Sequence, residues 1–189
     1  VAQVTLIRDT APSLLPMVRT EGQHISPLIT QLQVQLGHFD PQDKDNIAAV
    51  FELGNALEHA IVERLALDNP DRYFRPGELM RDNLIGTPDL FDLCDDDDTE
   101  IKLTYASTKH GPGSKKFFGY ETQMKAYCHM AGFTKSKLHV CFVNGNYKWG
   151  DPNWGPIWRT WRYEFSQMEL EANWKMLLKQ AAKQPKQTS

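Results

Sequence analysis

The chain has no apolar run that approaches the eighteen or so residues of a membrane-spanning helix. No signal-peptide pattern opens it. Cysteine is scarce: Cys94, Cys128 and Cys141 are odd in number, far apart, and form no C-x-x-C pair. That spacing argues against a disulfide framework and against a zinc or iron–sulfur site, and leaves buried, reduced thiols in a cytoplasmic protein as the expectation. No internal repeat and no long low-complexity tract is present. An excess of positive charge is also missing, since the formal net charge is −3. That balance speaks against a uniformly basic nucleic-acid surface. However, four of the 24 acidic residues crowd into positions 95–98. Lysines gather at 109, 115 and 116, at 135 and 137, and at 175, 179, 183 and 186, and local stripes of this kind bind phosphate whatever the total charge.

What remains is an ordinary globular composition, 41% hydrophobic and 24% charged over 189 residues, enough for one domain with a sizeable core. The punctuation predicts an N-terminal segment with a short helix (1–44), a core (45–183) and a frayed tail (184–189). Ser26-Pro27 reads as N-cap and first helical position ahead of Leu28, Ile29, Leu32 and Leu36. Residues 41–45 punctuate, and a longer helix runs over about 45–67, ending before Asn69-Pro70. Strands are predicted over 78–85, 90–93 and 99–105, with 95–98 as a turn. A Gly/Pro-rich loop covers 108–114. A helix follows over about 116–131, stopped by Gly132. Residues 137–143 read as a buried strand, 144–146 as a turn, and 157–165 as a second strand. Ser166-x-x-Glu169 is a capping box opening a helix with Leu170, Trp174, Leu177 and Ala181 on one stripe. This order predicts an α/β fold with a central mixed sheet flanked by helices.

The chemistry concentrates around Asp89 and Glu100-Ile101-Lys102. In a strand of side-chain period two, Glu100, Lys102 and Thr104 share one face while Ile101, Leu103 and Tyr105 take the other. A strand pair joined at 95–98 brings Asp89 within reach of Glu100. Two carboxylates can hold a hard divalent cation. Such an ion acidifies a bound water and polarises a phosphate, and a lysine beside it offsets transition-state charge. In the preceding helix, Ile47, Val50, Phe51, Gly54, Leu57, Ile61 and Leu65 form one apolar stripe. Glu58 falls about 20° from Ile47, near the stripe's middle, and His59 about 120° away. A carboxylate placed there needs a cation, so Glu58 is the favoured third ligand. Gln123 and Tyr127, four apart, share a helical face.

Pro88-Asp89 with Glu100-x-Lys102 resembles the PD-(D/E)xK nuclease superfamily. Gln123 to Tyr127 is similar to the QxxxY helix of its RecB-like and lambda-exonuclease-like branches. Gly54-x-x-x-Glu58 is similar to the GxxxE helix of phage-type exonucleases, and the three motifs occur in the family's order. The resemblance implies a restriction-endonuclease-like core and hydrolysis of DNA phosphodiester bonds with Mg²⁺ or Mn²⁺. Asp89, Glu100, Glu58 and the Ile101 carbonyl would hold the metal, and His59 is a reserve ligand because some relatives use a histidine in this helix. Lys102 would position the attacking water, while Gln123 and Tyr127 would line the site. An exonuclease in recombination or repair, in a bacterial or phage-infected cell, is the leading expectation. A structure-specific or restriction-like endonuclease and a non-catalytic DNA-binding module on a nuclease fold are the alternatives. Partners would be DNA ends, single- or double-stranded, and a second copy or a recombination protein.

Lys109, Lys115 and Lys116 follow the candidate strand in a Gly-rich loop, well placed to track a phosphate backbone. Ser26 at a helix N-terminus either caps that helix or holds a terminal phosphate. Trp149, Trp154, Trp158 and Trp161 either pack or stack on bases. His110, His129 and His139 have no ligand spacing. The run 95–98 lacks the glycine and distal glutamate of a calcium loop.

Overall fold

The computed structural model of the chain describes residues 5–6, 20–40, 48–146, 150–151 and 154–183. In chain order these form β1 (Thr5–Leu6), β2 (Gln23–His24), α1 (Ile25–Gln35), α2 (Ala48–Asp68), β3 (Tyr73–Phe74), β4 (Leu79–Arg81), β5 (Leu84–Gly86), β6 (Leu90–Asp92), β7 (Asp97–Thr104), α3 (Phe118–Ala131), β8 (Lys135–Asn146), β9 (Gly155–Glu164) and α4 (Gln167–Ala181). Two mixed sheets result. The larger has the order β3-β6-β7-β8-β9 and the smaller β1-β4-β5-β2. Strands β7 and β8 run parallel, Glu100 beside Leu138 and Lys102 beside Val140, with α3 as the crossover between them. Among the described residues no helix is long and apolar enough to cross a membrane.

The core divides where the layers meet. Phe117, Leu138, Val140, Phe142 and Leu170 fill the space between the large sheet and α3 with α4. Leu28, Met130, Trp174 and Leu177 join α1, α3 and α4. On the other sheet face, Val62 of α2 packs on Leu90 and Ile101. The predicted C-terminal stripe is buried as expected, and the Ser166–Glu169 capping box forms in both directions. Helix α3 ends at Gly132, which is left-handed at φ 83°.

Several expectations are corrected. The strand predicted over 78–85 is a hairpin, β4 and β5, because Asp82 and Asn83 both take positive φ, 49° and 63°. That is the two-residue turn whose backbone twist matches flanking strands. The run 95–98 is only partly a turn: Asp97 and Asp98 open β7 and are buried. Residues 144–146 continue β8 to meet Gly155 rather than turning, since a Cβ on Gly145 would sit 2.1 Å from the Gly155 carbonyl. Helix α1 starts two residues early, with His24 as N-cap, so Ser26 lies inside its first turn and does not cap it. The α2 stripe is rotated. Leu57 and Leu53 are exposed and Val62 is the fully buried position, because only the C-terminal half of α2 lies on the sheet. The side chains of Ile47, Val50 and Phe51, the 41–45 punctuation, Trp149, and the 184–189 tail with Lys186 lie outside the described residues. Cys128 and Cys141 are buried free thiols, but Cys94 is exposed in the turn after β6.

One buried charge cluster pins the end of the sheet where β7 and β8 begin. Lys137 Nζ on β8 lies 2.7 Å from Asp92 Oδ2 and 2.9 Å from Asp97 Oδ2 and also reaches Asp95, while Arg72 Nη2 lies 2.7 Å from Asp92. Burial raises the Asp92 pKa, but hydrogen bonds from Lys137, Arg72 and the Cys94 N–H outweigh it and leave the group below its ordinary value of 3.8. Above that value the pairing therefore contributes its full stability, which is lost as pH falls through the lower folded-state pKa. Replacing Lys137 by Met leaves buried carboxylates without their main cation and should cost about 3–5 kcal/mol in urea unfolding at pH 7. A wild-type midpoint for K137M would show the cluster to be dispensable.

Candidate active site

Strand β7 pairs with β6 only as far as Thr99, opposite Leu90. From Glu100 on, that edge has no strand partner among the described residues, so its N–H groups need other acceptors. They find carboxylates. The Ile101 N–H donates to Asp89 Oδ2 at 2.9 Å, and the Leu103 N–H donates to Glu58 Oε1 at 2.6 Å. In return the Asp89 N–H donates to Glu100 Oε1 at 3.3 Å. Asp89 stands just before β6, Glu58 mid-way along α2, and Glu100 on β7. Three separate elements thus deliver three carboxylates to one strand edge. The Ile101 carbonyl leaves β7 on the same side as its N–H, toward this group.

Lys102 sits among them, its Nζ 2.9 Å from Glu100 Oε2, 3.4 Å from Asp89 Oδ2 and 4.0 Å from Glu58 Oε2. Burial pulls the Lys102 pKa down, yet the charges of Asp89, Glu100 and Glu58 push it well above the lysine range. The carboxyls respond differently. Burial and then the Asp89 charge push Glu100 up to about 8, against the pull of Lys102. Burial raises Glu58 also, opposed by Lys102 and the Leu103 N–H. One step along the same face, Asp98 is fully buried and raised well above its ordinary value by burial and by Glu100, with a Ser136 hydroxyl 2.9 Å from one oxygen.

Glu58, Asp89 and Lys102 line a cavity of about 1170 Å³, with Glu100 buried against the Lys102 ammonium. Its far wall is α3, where Tyr120, Gln123 and Tyr127 line it at i, i+3 and i+7. Gln123 Nε2 donates to Tyr127 Oη at 2.8 Å. Burial, with the Glu100 charge next, keeps the Tyr127 phenol protonated. Lys116 lines the same cavity, and Lys109 and Lys115 are exposed on the loop that leads to it. Ser26 also lines it, without the capping role. His59 borders the space but turns to Arg75, whose Nη2 lies 3.2 Å from its Nδ1, so the geometry groups Glu58 and not His59 with the other carboxylates.

Two positions escaped the sequence reading. Tyr120 extends the Gln123–Tyr127 face by one turn, a spacing legible in the chain. Gly86, four residues after a turn, gave no such signal: a Cβ there would lie 2.7 Å from Tyr127 Cε1 and 3.0 Å from Met130 Sδ. The tyrosine ring is therefore seated directly on the backbone ahead of Asp89.

The donor set fits a hard divalent cation, being all oxygen and carrying more acid than base. Glu100 Oε2 is buried, with the Lys102 ammonium 2.9 Å away. Among the described residues no three acid, imidazole or thiol groups converge at ligand distance, because the carboxylates surround the ammonium instead.

No protein-family model matches the chain, and no curated protein matches it. Among solved structures it is similar to one described as "Crystal structure of SSO0001", with a TM-score of 0.51 and 14% identity over 90% of this chain and 80% of that one. At that identity the likeness is one of fold, and it agrees with mixed sheets flanked by helices.

Between the ordinary glutamate value of 4.5 and about 8, the folded chain keeps a proton on Glu100 that the unfolded chain has released. Stability of the metal-free protein should therefore fall as pH rises across that window. Glu100→Gln should flatten the dependence, read as urea midpoints in EDTA from pH 5 to 9. An equally steep decline in the variant would assign it to another group.

Proposed function

We propose that this chain is a divalent-metal-dependent phosphodiester hydrolase acting on DNA, built on a restriction-endonuclease-like core, with an end-processing role in recombination or repair. The observation that carries the reading is the grouping of Glu58, Asp89 and Glu100, from three elements, around the single ammonium of Lys102 at the wall of one cavity, which Glu58, Asp89 and Lys102 line. Buried groupings of this kind cost stability, and strongly shifted titratable groups in a cleft mark sites of chemistry. Glu58, Asp89 and Glu100, with the Ile101 carbonyl, would hold Mg²⁺ or Mn²⁺. Such an ion, when bound, acidifies water and neutralises charge on the phosphate.

The protein's own groups do the rest. Lys102 keeps a permanent positive charge beside the carboxylates, held in its protonated form by them. In a water-poor cavity that charge opposes the negative charge that builds on phosphorus in an in-line displacement. The Gln123–Tyr127 pair, fixed by its own hydrogen bond and by Gly86, gives the opposite wall a rigid polar edge against which a sugar–phosphate can be oriented. Lys116 supplies a cation toward the loop side for the flanking phosphate.

The test is cleavage of end-labelled single- and double-stranded DNA with Mg²⁺, with Mn²⁺ and with EDTA. Hydrolysis should vanish in EDTA. Lys102→Ala should lose at least about a hundredfold in rate, and Asp89→Asn should bind Mn²⁺ more weakly because an amide is a poorer ligand for a hard cation. Covalently closed circles should survive. Wild-type rates in Lys102→Ala would remove the catalytic assignment, and cut circles would make the enzyme an endonuclease.

A further inference from the structure

The loop 105–117 does more than join β7 to α3. Its first residues, Tyr105 and Ala106, and its penultimate one, Lys116, line the cavity. Between them it is tied down from outside. Asn144 of β8 donates to the Tyr105 carbonyl, Arg159 Nη1 of β9 donates to the Thr108 carbonyl at 2.6 Å, and the Gly113 N–H donates to Glu121 Oε1 at 2.7 Å. The loop is thus fixed against the start of edge strand β9. Loop 105–117 holds Lys109, Lys115 and Lys116 and no acidic residue, and Arg159 of β9 adjoins it, in a chain of net charge −3. Aromatic side chains stand in the open along the same course. Tyr105 is 39% exposed at the cavity rim, and Trp158, beside Arg159 and on the other face of β9, is 48% exposed. Trp161, in contrast, is packed edge-on against Phe117.

We propose that an unpaired nucleic-acid strand runs from the cavity over loop 105–117 and crosses the edge of β9 at Arg159 and Trp158. Acid-free cations spaced along a fixed loop match the regular charge of a phosphate backbone. Exposed rings beside them match the faces of unpaired bases, which a duplex hides in its own stack. Recession of the carboxylates points the same way. Glu100 is 1% exposed, a depth that a single strand can enter more readily than a duplex. The inference deepens the nuclease reading by naming single strands as the substrate class, and it rests on that reading for what the strand does at the cavity.

Binding is measured in EDTA, where hydrolysis does not intervene, by quenching of tryptophan fluorescence with a fifteen-residue oligothymidylate (about the length one such track engages) and with a duplex of equal length. The single strand should bind more tightly than the duplex. Trp158→Ala should weaken it at least about tenfold and Trp158→Phe much less, since loss of one stacked base has that scale. The triple change of Lys109, Lys115 and Lys116 to Ala should lower the log–log salt slope by about two. Equal affinity for duplex, or wild-type binding by both Trp158→Ala and the triple variant, overturns the track. So does a change of oligomeric state in Trp158→Ala without loss of strand binding, which would mark a protein interface. Should Lys102→Ala still cut DNA while the track variants lose binding, the nuclease site assignment fails and the track stands. The converse result separates them in the other direction.

Discussion

The candidate site follows from one constraint on backbone hydrogen bonding. Strand β7 outruns β6, and past Thr99 two of its N–H groups face a side where no strand lies among the described residues. Left bare inside the fold, each would cost as much as a lost hydrogen bond. Asp89 and Glu58 satisfy them. Doing so fixes both carboxylates at the strand edge, next to the face that carries Glu100 and Lys102. The angle at which α2 crosses the sheet, the early end of β6 and the cavity between α2 and α3 all belong to the same arrangement. A full-length β6 would complete the ladder and leave no site.

The chain uses a lysine surrounded by three carboxylates twice, and the two instances differ in a telling way. Around Lys137, second hydrogen bonds from Arg72 and the Cys94 N–H complete the shell, and Asp92 is held below its ordinary pKa. Around Lys102 the shell is incomplete. Burial and the Asp89 charge drive Glu100 up to about 8 despite the Lys102 ammonium beside it. The same four charges thus serve as a closed structural clamp at one end of the sheet and as an under-neutralised group at the other. The second borders the cavity that Glu58, Asp89 and Lys102 line. Buried Asp98 lies between them on β7, its pKa raised by burial and by Glu100.

Strand identity, the crossover helix, the capping box and the facing of Glu100 with Lys102 were legible because each rests on local periodicity or turn chemistry. The β4–β5 hairpin was missed and 78–85 read as one strand, because Asp82-Asn83 lacks the glycine that makes a two-residue turn obvious. Other features depend on partners far along the chain. The wheel of α2 placed Glu58 inward correctly but took Leu57 with it, since nothing local tells that only half the helix meets a sheet. Gly86 reads as a turn glycine until the Tyr127 ring, 41 residues on, is seen lying against it. The Arg159 contact to Thr108 spans 51 residues and leaves no local trace.

Net charge was the least informative quantity, and the fold explains why. The acidic run 95–98 and the lysine loop 105–117 lie at opposite ends of β7. From Asp97 to Thr104 the strand rises by roughly 23 Å at about 3.3 Å per residue. That exceeds the screening length of about 8 Å at physiological salt, and Lys137 and Arg72 already neutralise much of the acidic end. The acids of the run 95–98 are therefore spent on holding the sheet together, out of electrostatic reach of the loop, whereas Glu121 accepts from the loop's own Gly113 N–H. A local cationic loop thus stands on a molecule that is an anion as a whole.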